Sequence, residues 1–184
     1  MKNTIETERL ILRRFTIKDS GRLTYLFNDE DMVKYLISLP YPYTESHGRQ
    51  WISHHNENFV QDKIYDFALV NKADDRVIGS ISLTNNKDHK NGSVAYMIGK
   101  EYWNLGYATE ALKAIISYAF NVKGYHKVYA EFIEGNDASG RVMEKSGMVF
   151  EGKKLDHIYK DGSFHTLFTY CIINDDIFLD NFHN

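Results

Sequence analysis

One cysteine and two prolines are all that the 184-residue sequence contains of these two residue types. The single cysteine, Cys171, excludes an internal disulfide and a cysteine-rich zinc site, and its apolar neighbours predict a buried thiol. Both prolines, Pro40 and Pro42, fall within one short segment, and no Pro-, Ser- or Gly-rich linker divides the chain. We therefore expect one domain over residues 1–184, in a reducing compartment, the cytoplasm.

Strong net charge and long apolar runs are missing too. The formal net charge is only −3, which gives no broad basic surface for nucleic acid or an anionic membrane. No apolar run approaches the roughly 20 residues that cross a bilayer, and charged residues interrupt any signal-peptide core at the N-terminus. We expect a monomer or homodimer that has no nucleic-acid or membrane partner and recognises its ligands locally.

Motifs for metal, nucleotide and covalent serine chemistry are likewise missing. The eight histidines form neither H-E-x-x-H nor another ligand spacing, so no metal site is predicted. The sequence has neither the Walker A pattern nor G-x-G-x-x-G, which disfavours ATP and NAD. It also lacks the G-x-S-x-G elbow of serine hydrolases, which leaves direct attack by a substrate as the simpler chemistry.

Apolar periodicity predicts a mixed α/β fold around one sheet. Alternating apolar residues are typical of strands, and apolar residues at helical spacing are typical of amphipathic helices. The predicted strands cover residues 9–15, 66–72, 76–86, 92–103, 127–133, 149–160 and 164–173. The predicted helices cover residues 18–29, 44–60, 107–120 and 136–148. The last two strands form a hairpin around Lys160, Asp161 and Gly162.

The helix predicted from residue 44 begins at a good capping residue. Thr44 can accept a backbone N–H group of the first turn. A capping box would place Glu or Gln three residues later, where the sequence has His47. We therefore expect the cap without the reciprocal half of the box.

The segment YWNLGYATEALKAIISYAF, residues 102–120, begins at the end of a predicted strand. It continues through a glycine-containing turn into a predicted helix. Asn104 can cap this helix, whereas Gly106 and Ala108 leave its first N–H groups accessible to a bulky ligand. Helix N-termini bind phosphate through free N–H groups and the helix dipole. A tight turn that only packs the helix onto the sheet would use the same glycine, so both interpretations stay open at this point.

Five ordered motifs resemble the GNAT superfamily of acetyl-CoA-dependent N-acetyltransferases, and within it the RimJ/RimL type that acetylates ribosomal-protein N-termini. They are TERLILRRF, LPYPYTESHGRQWI, VIGSISL, EYWNLGYATEAL and EGNDASGRVMEKSGM, and together they extend over nearly the whole chain. The turn of the superfamily reads Gln/Arg-x-x-Gly-x-Gly/Ala, which Gly106 and Ala108 satisfy. Trp103 replaces the polar residue, as is usual in the RimJ/RimL type, and Leu105 stands where a basic residue is common.

The resemblance implies a central, mostly antiparallel twisted sheet that splays between its fourth and fifth strands and is flanked by helices. It also implies acetyl-CoA as the co-substrate, without a metal. The segment AYMIG is expected to bulge, which would leave N–H groups for the pantetheine arm and the thioester oxygen. The residues implied in coenzyme binding are Met97, Ile98, Asn104, Leu105, Gly106, Tyr107, Ala108, Thr109, Asn136 and Arg141, with Lys145 as a further phosphate contact.

Catalytic roles implied by the resemblance fall on Asn136 and Ser139. Asn136 would hold the coenzyme or the attacking amine, and Ser139 would donate a proton to the departing sulfur, although both residues also suit an ordinary helix start. The general base is unassigned, because relatives often carry a carboxylate near the position of Ser93. The candidates for the base are Glu131, Glu134, Tyr96 and a relayed water, and the alternative is an α-amine of low pKa that needs little help from a base. Glu110 is expected to point away from the phosphates and to support the helix dipole.

The amine acceptor is expected to lie against residues 36–47, LISLPYPYTESH, between the first two helices. The expected acceptor contacts are Tyr35, Tyr41, Tyr43 and Tyr96. This aromatic, nearly uncharged segment favours a peptide N-terminal α-amine over a polyamine, and the acids at 29–31 are expected to be solvated. Aminoglycosides and amino-acid-like amines are alternative acceptors. A non-catalytic acyl-CoA-binding sensor is the alternative from another functional class.

Overall fold

The computed structural model of the protein describes residues 4–37 and 39–174. Within these ranges it has eight strands and five α-helices. Their order is β1 (Thr4–Glu6), β2 (Leu10–Arg14), α1 (Ser20–Phe27), α2 (Glu30–Val33), α3 (Glu45–Val60), β3 (Ile64–Asn71), β4 (Arg76–Asn86), β5 (Asn91–Ile98), α4 (Tyr107–Asn121), β6 (Lys127–Ile133), α5 (Asp137–Lys145), β7 (Val149–Lys160) and β8 (Ser163–Ile173).

The strands form one sheet in the order β1-β2-β3-β4-β5-β6-β8-β7. Neighbouring strands run antiparallel except β5 and β6, which run parallel. This arrangement confirms the predicted mixed α/β fold with a mostly antiparallel sheet flanked by helices. The short elements β1 and α2 have no counterpart in the prediction, because three or four residues are too few to show a hydrophobic period.

The sheet opens between β5 and β6. These strands pair only from Asn91 with Lys127 to Val94 with Ala130, although β5 continues to Ile98. This gap is the predicted splay, because β5 and β6 are the fourth and fifth of the predicted strands. The predicted bulge is wrong, since the register between β5 and β4 runs unbroken along the whole of β5. Divergence of β5 from β6 opens the gap without an inserted residue.

The two faces of the sheet carry separate apolar cores. Phe67 and Leu69 of β3 belong to the core beneath α4, which also includes Met143 of α5. The alternate residues of β3, Ala68 and Val70, belong to the core beneath α1 and α3. This period of two along one strand places α4 and α5 on one face and α1 and α3 on the other.

Helix α3 begins with a complete capping box. Thr44 Oγ1 accepts the His47 N–H at 3.3 Å, and His47 Nδ1 accepts the Thr44 N–H at 3.1 Å. The expectation that the reciprocal half is missing is therefore wrong, because a neutral imidazole nitrogen can accept where Glu or Gln usually does. The first turn of α3 thus has a cap made of its own side chains.

Helix α2 is held at both ends by other elements. At its start, Asp29 accepts the N–H groups of two residues of α2, and Lys100 Nζ lies 3.6 Å from Asp29 Oδ2. At its end, Lys160 Nζ donates to the carbonyls of Val33 and Lys34, at 3.2 Å each. The acids at 29–31 are therefore not simply solvated, as the sequence suggested. The tip of the β7–β8 hairpin, where Lys160 lies, fixes the other end of this helix.

Three findings concern residue types and segments that are scarce in the sequence. Cys171 is a buried free thiol, as predicted. No helix of the described residues is long and apolar enough to cross a membrane. Within residues 4–37 and 39–174, no group of three or more His, Cys, Asp or Glu side chains is placed to hold a metal ion.

Candidate active site

A cavity of about 650 Å³ lies beside the end of β5, where β6 has diverged. Its walls come from α2, β5, the turn after β5, α4 and α5. The predicted site residues that line it are Tyr35, Tyr96, Met97, Ile98, Asn104, Gly106, Tyr107, Ala108, Thr109, Asn136, Ser139 and Arg141. Four separate segments of the sequence therefore meet in one site.

The turn before α4 leaves the first N–H groups of this helix open. Gly106 is the N-cap residue at φ +83°, and no side chain within residues 4–37 and 39–174 caps the helix. The predicted alternative of a cap by Asn104 is wrong, because Asn104 lies in the left-handed region at φ +62° and its side chain makes no such bond. The N–H groups of residues 107–109 have no hydrogen-bond partner in the described part of the chain. These three N–H groups are free hydrogen-bond donors of the kind that binds an anion at a helix N-terminus.

The edge of β5 faces the gap with backbone groups that β6 does not reach. Gly99 N–H donates to the Ile78 carbonyl of β4 at 2.9 Å, and the direction of backbone groups alternates along an antiparallel pair. Ile98 therefore turns its N–H and carbonyl toward the gap, where Trp103 Nε1 donates to the carbonyl at 2.7 Å. The same alternation turns the Met97 N–H toward β4. Ile98 is therefore the gap-facing donor, whereas Met97, which also lines the cavity, packs its side chain against the core beneath α1 and α3.

The start of α5 brings Asn136 and Ser139 to the cavity wall. Asn136 Oδ1 caps the helix by accepting the Ser139 N–H at 3.4 Å. The Asn136 amide nitrogen and the Ser139 hydroxyl have no partner among the described residues. The ordinary capping role of Asn136 and an open polar pair at the cavity therefore coexist.

Tyr96 of β5 holds the start of α5 in place by a hydrogen bond. Its hydroxyl donates to the Ser139 carbonyl at 3.1 Å. Burial raises the pKa of Tyr96 to about 12, so the phenol stays protonated at neutral pH. This protonation state argues against Tyr96 as the general base.

Three basic side chains line the cavity beyond the turn. Lys113 comes from α4, and Arg141 and Lys145 come from successive turns of α5. None of the three forms an ion pair with another described residue. Unpaired cations of this kind attract phosphate groups. Lys113 is missed by the sequence reasoning because nothing in its local pattern differs from a solvated helix lysine.

Two of the four predicted acceptor tyrosines do not line the cavity. Tyr43 is 4% exposed and packs on Phe27 with 5.3 Å between ring centroids. It is a core residue, because its place directly before the α3 cap turns the ring inward. Tyr41 is half exposed and donates to Glu30 Oε1 at 3.3 Å. Neither ring therefore lies on the cavity wall, which is formed here by α2 and the residues that follow it, including Tyr35 and Leu36.

Arg9 is the principal residue near the site that the sequence reasoning missed. Its Nη1 donates to the Leu105 carbonyl at 2.8 Å, and its Nε donates to Glu110 Oε2 at 2.7 Å. Leu105 itself, implied as a coenzyme contact, does not line the cavity. The only sequence signal for Arg9 is its place in the motif TERLILRRF, which does not reveal a contact about a hundred residues away. Glu110 points toward Arg9, as expected for a carboxylate that should avoid phosphate.

The candidate carboxylate bases lie outside the cavity lining. Glu131 is the first residue of β6 beyond the last pair with β5, and its neighbours Ala130 and Phe132 belong to the core beneath α4. Its side chain is therefore on the other face of the sheet, where Oε1 accepts from Thr169 Oγ1 at 2.9 Å and lies 2.7 Å from Lys154 Nζ. Glu131 borders the gap from the side away from α4.

Comparison with known proteins gives the family. A family model described as an acetyltransferase (GNAT) domain matches residues 9–149. The chain belongs to the GNAT family of acetyltransferases. A curated relative of this acetyltransferase is the uncharacterized N-acetyltransferase p20 of Bacillus licheniformis, which is 26% identical over 172 residues and matches over 92% of this chain and 96% of its own. The match confirms the resemblance read from the sequence motifs and the assignment as an N-acetyltransferase.

Two solved structures share the fold of the acetyltransferase. One is RimL, a ribosomal L7/L12 α-N-protein acetyltransferase in complex with coenzyme A, with a TM-score of 0.83 at 17% identity over 94% of this chain and 98% of that chain. The other is the spermidine N-acetyltransferase of Vibrio cholerae in complex with CoA and spermine, with a TM-score of 0.78 at 20% identity over 91% and 96%. One is named for a protein acceptor and one for a polyamine, so the shared fold does not identify the acceptor.

Proposed function

We propose that the acetyltransferase moves an acetyl group from acetyl-CoA to a primary amine, and that the amine is the N-terminal α-amine of a peptide. The observation that carries the proposal is the open N–H set at residues 107–109, next to the unpaired cations Lys113, Arg141 and Lys145. Aligned N–H groups and the helix dipole suit a pyrophosphate, and lysine and arginine suit a further phosphate. Coenzyme A presents both kinds of group.

The unpaired edge of β5 suits the rest of the coenzyme. Pantetheine is an extended chain with two amides, and an extended chain with amides can add to an open strand edge. The gap beyond Val94 provides that edge, and the Ile98 N–H faces it. A donor in this position would stabilise negative charge on the thioester oxygen during attack, an effect worth about 3 kcal/mol.

The reaction needs one bond to form and one to break. The amine nitrogen attacks the thioester carbon, the C–S bond breaks, and the sulfur leaves as a thiolate. We assign the Ser139 hydroxyl, which has no partner among the described residues, as the proton donor to this sulfur, with Asn136 beside it to hold an amide or the amine. The amine proton passes to water, because the candidate carboxylate bases lie outside the cavity lining.

The charges of the cavity favour a singly charged acceptor over a polyamine. Three carboxylates line it, those of Glu8, Asp31 and Glu110. Lys100 neutralises Asp31, and Arg9 neutralises Glu110. A polycation would be held by free carboxylates, and Glu8 alone among these three has no ion pair with a described residue. Tyr35 and Leu36 of the adjacent wall offer apolar surface to a peptide.

The acceptor is tested by comparing rates of thiol release from acetyl-CoA at equal acceptor concentration. We expect peptides with a free N-terminus to react faster than spermidine and faster than N-blocked peptides that contain lysine. Preference for spermidine, or indifference to the N-terminal block, would contradict the α-amine. Binding of acetyl-CoA without turnover across the whole panel would favour the sensor instead.

The role of Ser139 is tested by Ser139→Ala. Removal of a proton donor costs about 100-fold in rate, and we expect this loss in kcat with little change in the Kd for acetyl-CoA. Ser53→Ala is the matched control, since Ser53 is exposed on α3 and its hydroxyl donates to the Gln50 carbonyl, its one hydrogen-bond partner among the described residues. A wild-type kcat for Ser139→Ala with the preferred acceptor would rule out the assignment.

A further inference from the structure

The carboxylate of Glu110 poses a problem for phosphate binding at the turn. Glu110 is in the first turn of α4 and lines the same cavity as the open N–H groups. A free carboxylate beside a pyrophosphate would repel it, by an amount that grows as solvent is excluded. The site therefore needs a group that removes this repulsion.

Arg9 supplies that group. Its Nε donates to Glu110 Oε2 at 2.7 Å, and its backbone N–H donates to Oε1 at 2.8 Å. Thr7 Oγ1 donates to the same Oε1 at 2.6 Å. Burial alone would raise the pKa of Glu110, but the hydrogen bonds from Thr7 and Arg9 outweigh it and hold the pKa below its usual value. The carboxylate is thus ionised and fully engaged by the segment between β1 and β2.

The same guanidinium also holds the backbone of the turn. Arg9 Nη1 donates to the Leu105 carbonyl at 2.8 Å, and the guanidinium carbon lies 4.4 Å from the centroid of the Tyr107 ring. In a planar trans peptide the carbonyl and the next N–H point in opposite directions. A Leu105 carbonyl directed at Arg9 therefore directs the Gly106 N–H away from Arg9, and Gly106 lines the cavity whereas Arg9 does not.

We propose that Arg9 is a positioning residue for the pyrophosphate of the coenzyme, one that orients the peptide between Leu105 and Gly106 and neutralises Glu110. The proposal rests on the proposed function, since it takes the turn as the coenzyme phosphate site. Arg9 acts through two neighbours and from a different part of the sequence. Its effect is confined to the phosphate end of the coenzyme.

The test is the binding of coenzyme A, measured by calorimetry, together with kcat/KM for acetyl-CoA and for acetyl-pantetheine, which lacks the phosphates. We expect Arg9→Ala to lower coenzyme A affinity at least tenfold and to leave kcat/KM for acetyl-pantetheine within twofold. Arg9→Lys keeps one donor and should lose less. Arg49→Ala is the matched control, because Arg49 forms an exposed ion pair with Glu45 on α3.

The decisive variant is the double substitution. Glu110→Gln alone should change coenzyme A affinity less than threefold, since Arg9 then still holds Leu105. In the Arg9→Ala background, Glu110→Gln removes the unpaired carboxylate and should recover at least threefold of the lost affinity. If Arg9→Ala does not fold, the same comparison is made with Arg9→Lys, whose smaller loss Glu110→Gln should again reduce.

Two failures are distinguishable. A wild-type protein that does not bind coenzyme A would overturn the proposed function, and the inference with it. Normal coenzyme A affinity in Arg9→Ala, an equal loss for acetyl-CoA and acetyl-pantetheine, or no recovery in the double variant would overturn the inference alone.

Discussion

Helices α3 and α4 are similar in length, 16 and 15 residues, and pack on opposite faces of the same sheet, but they begin in opposite ways. The start of α3 is closed by the reciprocal bonds of Thr44 and His47. The start of α4 has no side-chain cap, and its glycine keeps the N–H groups accessible. The cap stabilises α3. Helix α4 lacks this stabilisation, and the same backbone N–H groups at its start are available to a ligand.

The two helices also differ in what they cover. The buried residues of α4 are all apolar: Ala111, Leu112, Ile115, Ile116 and Ala119. Helix α3 instead buries His55 against Asp66 of β3, with His55 Nε2 and Asp66 Oδ2 3.5 Å apart. Neither ring nitrogen of His55 has a hydrogen bond to another residue that the structure describes. The helix with the open start thus rests on an apolar core, and the closed one tolerates a buried titratable pair.

The largest expected effect comes from blocking the open start. Gly106→Trp would place a side chain against Arg9, whose Nη2 lies 3.4 Å from the position of an added Cβ, and would force a non-glycine residue to φ +83°, so the turn that carries the open N–H groups must shift. We expect coenzyme A affinity to fall more than 100-fold, measured by calorimetry on protein shown to be folded by circular dichroism. Gly124→Trp is the matched control, because Gly124 has φ +67° with open space around it and lies outside the cavity. A folded Gly106→Trp protein with wild-type affinity would contradict the phosphate site.

The buried pair on the α3 side should show itself in the pH dependence of unfolding. Burial lowers the pKa of His55 to about 4 and raises that of Asp66 to about 6. The neutral His55 stabilises the fold above pH about 6.5, and this contribution is lost as the pH falls toward 4. The neutral Asp66 stabilises it below pH about 3.8, and this contribution is lost as the pH rises toward 6. Between pH 4 and 6 the pair holds one proton in both the folded and the unfolded chain. The opposite effects of His55 and Asp66 on the pH dependence of the unfolding free energy therefore cancel.

Substitution of one member of the pair should reveal the pH dependence of the unfolding free energy that comes from the other member. Relative to wild type, we expect the free energy of unfolding of Asp66→Asn to rise between pH 4 and 6, and that of His55→Leu to fall, each by up to about 3 kcal/mol. Urea unfolding at four pH values in this range measures both. Asp88→Asn and His89→Leu, at exposed loop positions, are the controls. Slopes of the same sign in the two variants would contradict the cancellation.

The smallest effect is expected from opening the closed start. Thr44→Ala removes the cap of α3 and should cost about 1 kcal/mol of stability, a fall of about 2–4 °C in Tm. His47→Ala removes only the reciprocal bond and should cost less. Coenzyme A affinity should not change in either variant. Loss of affinity equal to that of Gly106→Trp would show that the two helix starts are not independent.

The sequence predicts those parts of the fold that have a local signal. Strand β6 matches its predicted residues at both ends, and the β7–β8 hairpin turns at the predicted residues. The turn before α4 is recognisable because Gly106 and Ala108 lie two positions apart in one motif. In each case the period, the turn residue or the motif lies within a few positions of the element that it defines.

The parts that the sequence does not predict depend on partners far along the chain. Arg9 meets Glu110 across 101 positions, and no local pattern distinguishes it from a strand arginine on a polar face. Tyr43 is placed in the core by Phe27 and by its position before a helix cap, whereas its sequence neighbours suggest an open aromatic wall. His47 completes a capping box through the neutral form of its ring, which the usual Glu or Gln pattern does not anticipate.

The contacts of Lys160 with the end of α2 give the site an order of assembly during synthesis. The ribosome synthesises the chain from the N-terminus, so the turn before α4 and Ser139 are made before residue 160 is added. Helix α2 emerges first of all these parts, yet the lysine that holds its last carbonyls comes 127 positions after Val33. A nascent chain therefore contains every residue of the turn before α4 before the cavity wall formed by α2 gains this tether. A protein truncated before Lys160 would have to form that wall without it.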